Sequence, residues 1–306
     1  MKKILIVAGG YSNEREISFQ TAKSVYRELK KKKIYNIKIK EPNGNFVKEL
    51  RSFKPDLVFN LLHGRYGEDG YIQSILESEK IKYTHSGVLS SSLAIDKELS
   101  KKIFVKNNIL TPKYIKFLFK KKIQKKKIIM KIKKKLNFPV VVKPINEGSS
   151  VNVYICNKSN FIKNLFKLKS YGEVLIEKFI PGREIQVAIL GNKKLGAIEL
   201  KPKRQFYDYE AKYNPKAKTE HIIPVQISNE NYNKVTSLAL KAHKLLKCRG
   251  VSRSDFRFYN NKFYLLEINT QPGMTSLSLV PEIASYCNIS FYQLIKEIIK
   301  DASLNK

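Results

Sequence analysis

The strongest constraint on how this chain can fold is the alternation in its first ninety or so residues. Short apolar runs, KILIVA (3–8), IYNIKIK (34–40), DLVFNLL (56–62) and IKYT (81–84), are spaced by segments of helical pattern near 46–53 and 70–80. A further helix is expected after Gly9-Gly10, with Asn13 as its cap and Glu16 three positions on. Strands that alternate with helices imply a parallel sheet with flanking helices, here as far as about residue 95. The start, MKKILIVAGG, imitates a signal peptide, but its apolar run stops within a few residues and the charged NERE follows. A first β-strand is therefore the expectation.

Beyond that point the rhythm changes. FPVVVKP (138–144), VNVYIC (151–156) and EVLIEKF (173–179) read as strands around a helix near 158–168, a small α+β lobe that ends at Pro181-Gly182. Strand EIQVAIL (184–190) follows, then a polar aromatic loop from about 203 to 220 and a helix around 230–247. A hairpin (252–269), a Gly/Ser-rich loop (270–279) and a C-terminal amphipathic helix complete the chain. The fold class is α/β, α+β in part. Three lobes are expected: residues 1–95, 96–180 and 181–306.

Charge is the most conspicuous property and the least informative. The 306 residues carry 59 Lys+Arg against 26 Asp+Glu, a net +33. Such an excess suggests nucleic acid, because cations release counterions from phosphates. Its distribution argues otherwise. Fifteen Lys and no acid lie between Lys101 and Lys135, while only nine Arg occur in the whole chain, and no nucleic-acid-binding motif is present. Ile115, Leu118, Ile123, Ile128, Ile129 and Ile132 are threaded through that run at roughly helical intervals, so solvated helix faces and loops are expected there, with no specific nucleic-acid partner. Cys156, Cys248 and Cys287 form neither a disulfide framework nor a metal motif, and no stretch of 18 apolar residues occurs. A cytoplasmic protein without membrane contact is expected.

The hairpin carries the clearest chemistry. Strands SDFRFY and KFYLLEIN flank Asn260-Asn261-Lys262. A three-residue loop sets Asp255 opposite Glu267 and gathers Phe256, Phe258, Tyr264, Leu266 and Ile268 on one apolar face. Asp255, Arg257, Glu267 and Asn269 then share the other face, whereas a two-residue loop would mix the two. Hard oxygen donors of this kind suit Mg²⁺ or Mn²⁺; taken alone, the face reads equally well as ordinary surface. Lys143 ends an apolar strand just before Glu147-Gly148-Ser149-Ser150, where backbone N–H groups can meet phosphate. His63 follows a buried-looking strand in LHGRYGEDG (62–70), and PGMTSLSL (272–279) offers hydroxyls and N–H groups to a small carboxylate, with Arg253 nearby. A structural turn histidine is an equal reading of the first segment, and a plain turn is the alternative for the second. His85, His221 and His243 are read as structural.

Taken together, GGYSNEREIS (9–18), LHGRYGEDG (62–70), THSGVLSSSLAIDK (84–97), PVVVKPINEGSSV (139–151), VLIEKFIPGREIQVAIL (174–190), FYDYEAKY (206–213), RSDF (253–256) and LLEINTQPGMTSLSLVP (265–281) resemble the D-alanine–D-alanine ligase family of the ATP-grasp superfamily. They run in family order over essentially the full length. The resemblance implies a three-lobed ATP-grasp architecture with an N-terminal parallel α/β domain. It implies ATP and two Mg²⁺ (or Mn²⁺), D-alanine as substrate, a homodimer, and a D-alanyl phosphate intermediate on the way to a dipeptide for peptidoglycan. Asp255, Glu267 and Asn269 match the metal ligands of that family; Lys97, Lys143 and Lys212 match its phosphate contacts. Glu177, Lys178, Phe179 and Ile180 match the adenine clamp, and Glu184 the ribose-binding carboxylate. Glu14 matches the partner of the first D-Ala ammonium, with His63 beside it. Arg253 and the Gly273 N–H match the oxyanion site, while Ser278 and Leu279 match the holders of the second carboxylate. Tyr213 corresponds to the residue that closes the site against Ser149 and Glu14, and its presence favours an amide over a D-lactate ester.

Departures are few. Asn152 stands where glycine is usual, although Asn tolerates left-handed backbone; Ser254 and Leu277 replace other common residues. Another ATP-grasp carboxylate–amine ligase would keep Lys143, Asp255, Glu267 and Asn269 but lose Glu14, His63 and Ser278, and all three are present.

Overall fold

A computed structural model describes residues 1–120, 124–148, 151–201, 219–275 and 278–304. The N-terminal alternation becomes β1 (Lys2–Val7), α1 (Arg15–Lys30), β2 (Tyr35–Lys40), α2 (Phe46–Phe53), β3 (Leu57–Asn60) and α3 (Tyr71–Ser78). The strands form a parallel sheet in the order β2-β1-β3, with Ile4 opposite Leu57 and Val7 opposite Asn60. Central β1 is buried on both faces from Ile4 to Val7, as a parallel strand covered by helices must be.

Two local expectations fail here. Residue 14, not Asn13, occupies the N-cap of α1, and no side-chain cap bond forms; the Glu14 side chain is buried instead. The segment 81–84 is no full strand. Only Tyr83 bridges, to Val58 on one side and Ser303 on the other, because left-handed residues at Lys80 (φ 54°) and His85 (φ 67°) bracket the extended run.

Helices α4 (Val88–Ile95) and α5 (Lys97–Lys106) lead to a four-stranded antiparallel sheet. It comprises β4 (Tyr114–Leu118), β5 (Val140–Pro144), β6 (Tyr154–Cys156) and β7 (Glu173–Lys178) in the order β4-β7-β5-β6, with α6 (Lys125–Lys135) and α7 (Phe161–Lys167) packed on it. Part of the expected lysine-rich helix is thus a strand. Ile115 and Phe117 alternate toward the core and pair with Ile176 and Val174; their period of two outweighs the chance helical spacing of Ile115 and Leu118. The helix over 125–135 does form, turning Ile128, Ile129 and Ile132 inward.

The third sheet holds β8 (Arg183–Leu190), β9 (Lys193–Lys201), β10 (Glu220–Ile222), β11 (Val251–Tyr259) and β12 (Lys262–Asn269), in the order β10-β9-β8-β11-β12. β9 has no counterpart in the sequence reading. Its interior, Leu195–Leu200, is buried without a break, Gly196 and Glu199 included, so no alternation announces it. This sheet is the hub of the molecule. Ala188 and Ile198 face one core, shared with α9 (Leu279–Tyr286), α10 (Phe291–Asp301), α1 and the first sheet. Ile185, Val187 and Ile189 face another, shared with α8 (Asn229–Leu245). The C-terminal amphipathic stretch is therefore two helices: the chain turns at left-handed Asn288, and Ser290 and Gln293 build a capping box for the second. Among the described residues no helix is long and apolar enough to cross a membrane.

The β11–β12 hairpin corrects the expected register in an instructive way. Its loop has two residues, Asn260 and Asn261, both at positive φ (48° and 57°), and Tyr259 pairs with Lys262. That is the left-handed turn in which Asn is at home. Phe258 then faces Phe263 and Phe256 faces Leu265, so the buried face carries Phe256, Phe263, Leu265 and Ile268, while Tyr264 and Leu266 do not belong to it. A register shift between Asp255 and Phe256 absorbs one residue of β12 and returns Asp255 to its place opposite Glu267. The expected pairing of Asp255 with Glu267 holds by way of a bulge, a device that can re-aim side chains.

Candidate active site

Two cavities open where the three sheets meet, and Lys97, Glu147 and Glu267 line both. The first is lined in addition by Glu14, His63, Glu68, Gly148, Arg253, Asn269, Gly273, Ser278 and Leu279. The second is lined by Lys143, Glu177, Lys178, Phe179, Ile180, Glu184, Asp255, Arg257 and Leu266. Every expected site residue that the structure describes borders one or both. Ser149, Lys212 and Tyr213 lie outside the described residues.

In the first cavity, Glu14 enters from the start of α1 and His63 from the loop after β3. His63 is 5% exposed, with Nδ1 3.2 Å from Glu68 Oε1 and Nε2 3.4 Å from Thr21 Oγ1. Burial works against the imidazolium, but the hydrogen bond and charge of Glu68, aided by Glu14, win and raise the His63 pKa above its ordinary value. The floor is β11–β12. Arg253 grips Asp255 with both ends of its fork, Nε–Oδ1 at 2.8 Å and Nη2–Oδ2 at 3.0 Å. Asn269 accepts the Gln271 N–H at 2.8 Å, and Gln271 in turn accepts from Asn60 of β3 at 2.8 Å and donates to the Leu62 carbonyl. Those links fix the floor against the N-terminal sheet. On the far side the Ser278 hydroxyl accepts the Thr275 N–H at 3.0 Å and stands just before α9, whose N-terminal N–H groups favour an anion. A Cβ at Gly273 would come within 2.9 Å of Ser278 Oγ, so that hydroxyl would have to move.

The second cavity is dominated by buried charge. Lys143 Nζ lies 2.6 Å from Glu177 Oε1, and Lys101 Nζ lies 3.1 Å from Glu177 Oε2, an ion pair outside hydrogen-bonding geometry. Burial alone would raise the Glu177 carboxyl, yet the two ammonium charges hold it below its ordinary range. Lys97 Nζ donates to the Glu147 carbonyl at 2.5 Å and stands 3.4 Å from Glu267 Oε2, between the cavities. Glu184 at the rim meets Arg257 Nη2 at 3.0 Å. Phe179, Ile180 and Leu266 supply apolar walls. Asn152, at the end of the Gly-Ser segment, is left-handed (φ 56°) and joins Tyr171 and Tyr154 through its amide, so the departure from glycine is accommodated.

Several residues in the cavity walls, or just behind them, escaped the sequence reading. Glu68 lies inside a motif already noted and Glu147 beside Gly148. Lys101 follows Lys97 by four residues on one helix face, a periodicity hidden in a crowd of lysines. Leu266 reaches the second cavity only because of the bulge, which nothing in the sequence marks. The histidines read as structural line neither cavity. His85 is buried and pushed down to about 3 by its burial, and His243 to about 4 while bonded to Ser252 at 2.6 Å. His221 pairs with Glu282 at 2.7 Å.

The donor set on β11–β12 is all oxygen: carboxylates of Asp255 and Glu267 side by side in register, and the Asn269 amide. Its chemistry fits a hard divalent cation. Each Asp255 oxygen accepts one hydrogen bond from Arg253 and keeps a further lone pair that an ion can use.

A family model described as D-ala D-ala ligase C-terminus matches residues 103–300. The chain is 66% identical over 305 residues to a D-alanine–D-alanine ligase of Pelagibacter ubique (strain HTCC1062), covering 100% of this chain and 99% of that relative. It is 43% identical over 311 residues to one of Wolbachia pipientis wMel, covering 99% and 95%. Its fold is similar to the crystal structure of a D-alanine–D-alanine ligase from Bacillus anthracis, with a TM-score of 0.87, 34% identity and coverage of 98% and 97%. The structure of a ligase from the same organism complexed with ATP gives 0.85 at 31% identity, with the same coverage.

Proposed function

The chain belongs to the D-alanine–D-alanine ligase family, and from that premise we propose that it joins two D-alanines at the expense of ATP, through a D-alanyl phosphate. The product is the dipeptide for peptidoglycan precursors. The observation that carries this reading is the pair of cavities sharing Lys97, Glu147 and Glu267, one apolar-walled with buried lysines and the other more polar and larger. A reaction that moves a phosphoryl group from a nucleotide to a carboxylate needs two sites meeting at one point.

The second cavity takes ATP. Phe179, Ile180 and Leu266 cover the adenine, with Glu177 and Lys178 at its edge; Glu184 holds the ribose, and Lys97 and Lys143 meet the phosphates. The first cavity takes both amino acids. Glu14 and His63 hold the first D-Ala, whose carboxylate points toward the shared residues; Ser278 and the Leu279 N–H hold the second carboxylate. A carboxylate is a poor electrophile, and phosphorylation turns one of its oxygens into a leaving group. The second amine then attacks, and Arg253 with the Gly273 N–H stabilises the oxyanion of the tetrahedral intermediate. Asp255, Glu267 and Asn269 would hold two Mg²⁺ or Mn²⁺, which neutralise phosphate charge during transfer. Lys212 and Tyr213, with Ser149, complete the site through the resemblance, keeping water from the acyl phosphate. We assign the lobes as 1–95, 96–180 and 181–306, each centred on one of the three sheets, and the protein as a cytoplasmic homodimer.

The test is product analysis. Incubation with ATP, Mg²⁺ and D-alanine yields D-alanyl-D-alanine and phosphate in equal amounts, and EDTA stops both. Phosphate release without dipeptide would overturn the assignment.

A further inference from the structure

We propose that Lys101 is a positioning residue for the nucleotide: by pairing with one oxygen of Glu177, it leaves the charge of Lys143 free to meet a phosphate. The inference rests on the reading of the second cavity as the nucleotide site. Lys101 is fully buried on α5 and borders neither cavity, whereas Glu177 and Lys143 both line the second. It can therefore act only through them.

The geometry divides one carboxylate between two ammonium groups. Glu177 Oε1 stands 2.6 Å from Lys143 Nζ and Oε2 stands 3.1 Å from Lys101 Nζ. Lys101 is held from behind by a 2.6 Å hydrogen bond to Thr111 Oγ1. The triad carries two positive charges and one negative, so one positive charge is left over. Lys143, on the cavity wall, is the group placed to present it. Without Lys101, Glu177 and Lys143 become a closed, neutral pair, and a neutral pair in a buried wall attracts phosphate poorly.

A role in stability alone does not explain Lys101. Burying an ammonium is expensive, and apolar side chains of similar size generally serve a core as well or better. The groups facing it are Glu177 on β7, Lys143 on β5, Glu267 on β12 and the Tyr114 ring on β4, 6.0 Å away. Its burial lowers its pKa to about 8 against the pull of Glu177, so at neutral pH it remains charged and the count of charges holds.

The experiment compares ADP with adenosine, which share the base and sugar but differ in phosphate. Binding of each is measured by calorimetry or competition for the unmodified protein, Lys143→Met and Lys101→Met. Both variants should weaken ADP by about tenfold or more, as loss of one charge-assisted contact does, and leave adenosine unchanged. A purely structural role would weaken both ligands together or neither, and either result with Lys101→Met would overturn the proposal. If Lys143→Met leaves ADP unaffected, the nucleotide reading of the cavity itself fails. Should Lys101→Met not fold, Lys101→Gln keeps the bond to Thr111 without the charge and must show the same selective loss.

Discussion

Helices α5 and α6 are both rich in lysine, yet α5 turns Lys97 and Lys101 into the molecule while all seven lysines of α6 stand in solvent. Composition does not separate them. What differs is what each helix packs against. The inward face of α5 meets strands that carry Glu177 and Glu267, so an ammonium there has a partner worth its desolvation. The inward face of α6 packs into an apolar cluster, to which it presents Ile128, Ile129 and Ile132. A net charge of +33 therefore says little about function. The informative lysines are the few that a carboxylate draws inward.

The comparison can be broken at several points. The largest effect belongs to the carboxylate between α5 and the floor: Glu267→Gln should lower turnover by about a thousandfold or more while the protein stays folded, as removal of a group acting on transition-state charge does. Near-normal activity in a kinetic assay would remove its role. On α6 the effect should fall on stability instead. Ile132→Ala should cost about 2–4 kcal/mol in denaturant unfolding, because Ile132 is fully buried. A loss below about 1 kcal/mol would mean that the helix rests on its charges after all.

Acidity sharpens the contrast between buried and exposed cations. His85 and His243 have folded pKa values of about 3 and 4, below the ordinary 6.5, so the unfolded chain binds protons that the folded chain refuses. Stability is at its full value above pH 6.5 and declines as pH falls toward 4, by up to about 1.4 kcal/mol per pH unit for each histidine. A thermal midpoint that does not drop across that window would contradict their burial. The smallest effect is reserved for the lysines of α6: Lys125→Gln, Lys126→Gln and Lys127→Gln together should leave kcat/KM within about twofold and each change stability by less than about 0.5 kcal/mol. A large loss of activity would give that run a function.

How much of this was legible in the sequence varies with the physics. The parallel sheet could be read because its strands are separated by helices and punctuated by glycine. The pairing of Asp255 with Glu267 was also legible, but for the wrong reason: the hydrophobic pattern called for a three-residue loop, and the chain uses a two-residue Asn-Asn turn with a bulge that exposes Leu266 to the second cavity. A bulge is a local backbone accommodation with no fixed residue type, so the pattern could not announce it. β9 was missed because a strand buried on both faces has no alternation. Lys101 was missed because its partners lie far away in sequence, on β5 and β7, and only folding brings the charges together.

The most direct test of the account is phosphate release from ATP in the presence of Mg²⁺, measured with D-alanine and with L-alanine. Both cavities, the oxygen-bearing face of β11–β12 and the charged wall have to act together for the signal to appear. Release that depends on D-alanine and is absent with L-alanine is the predicted result; equal release with the two enantiomers, or none with either, would contradict the central claim.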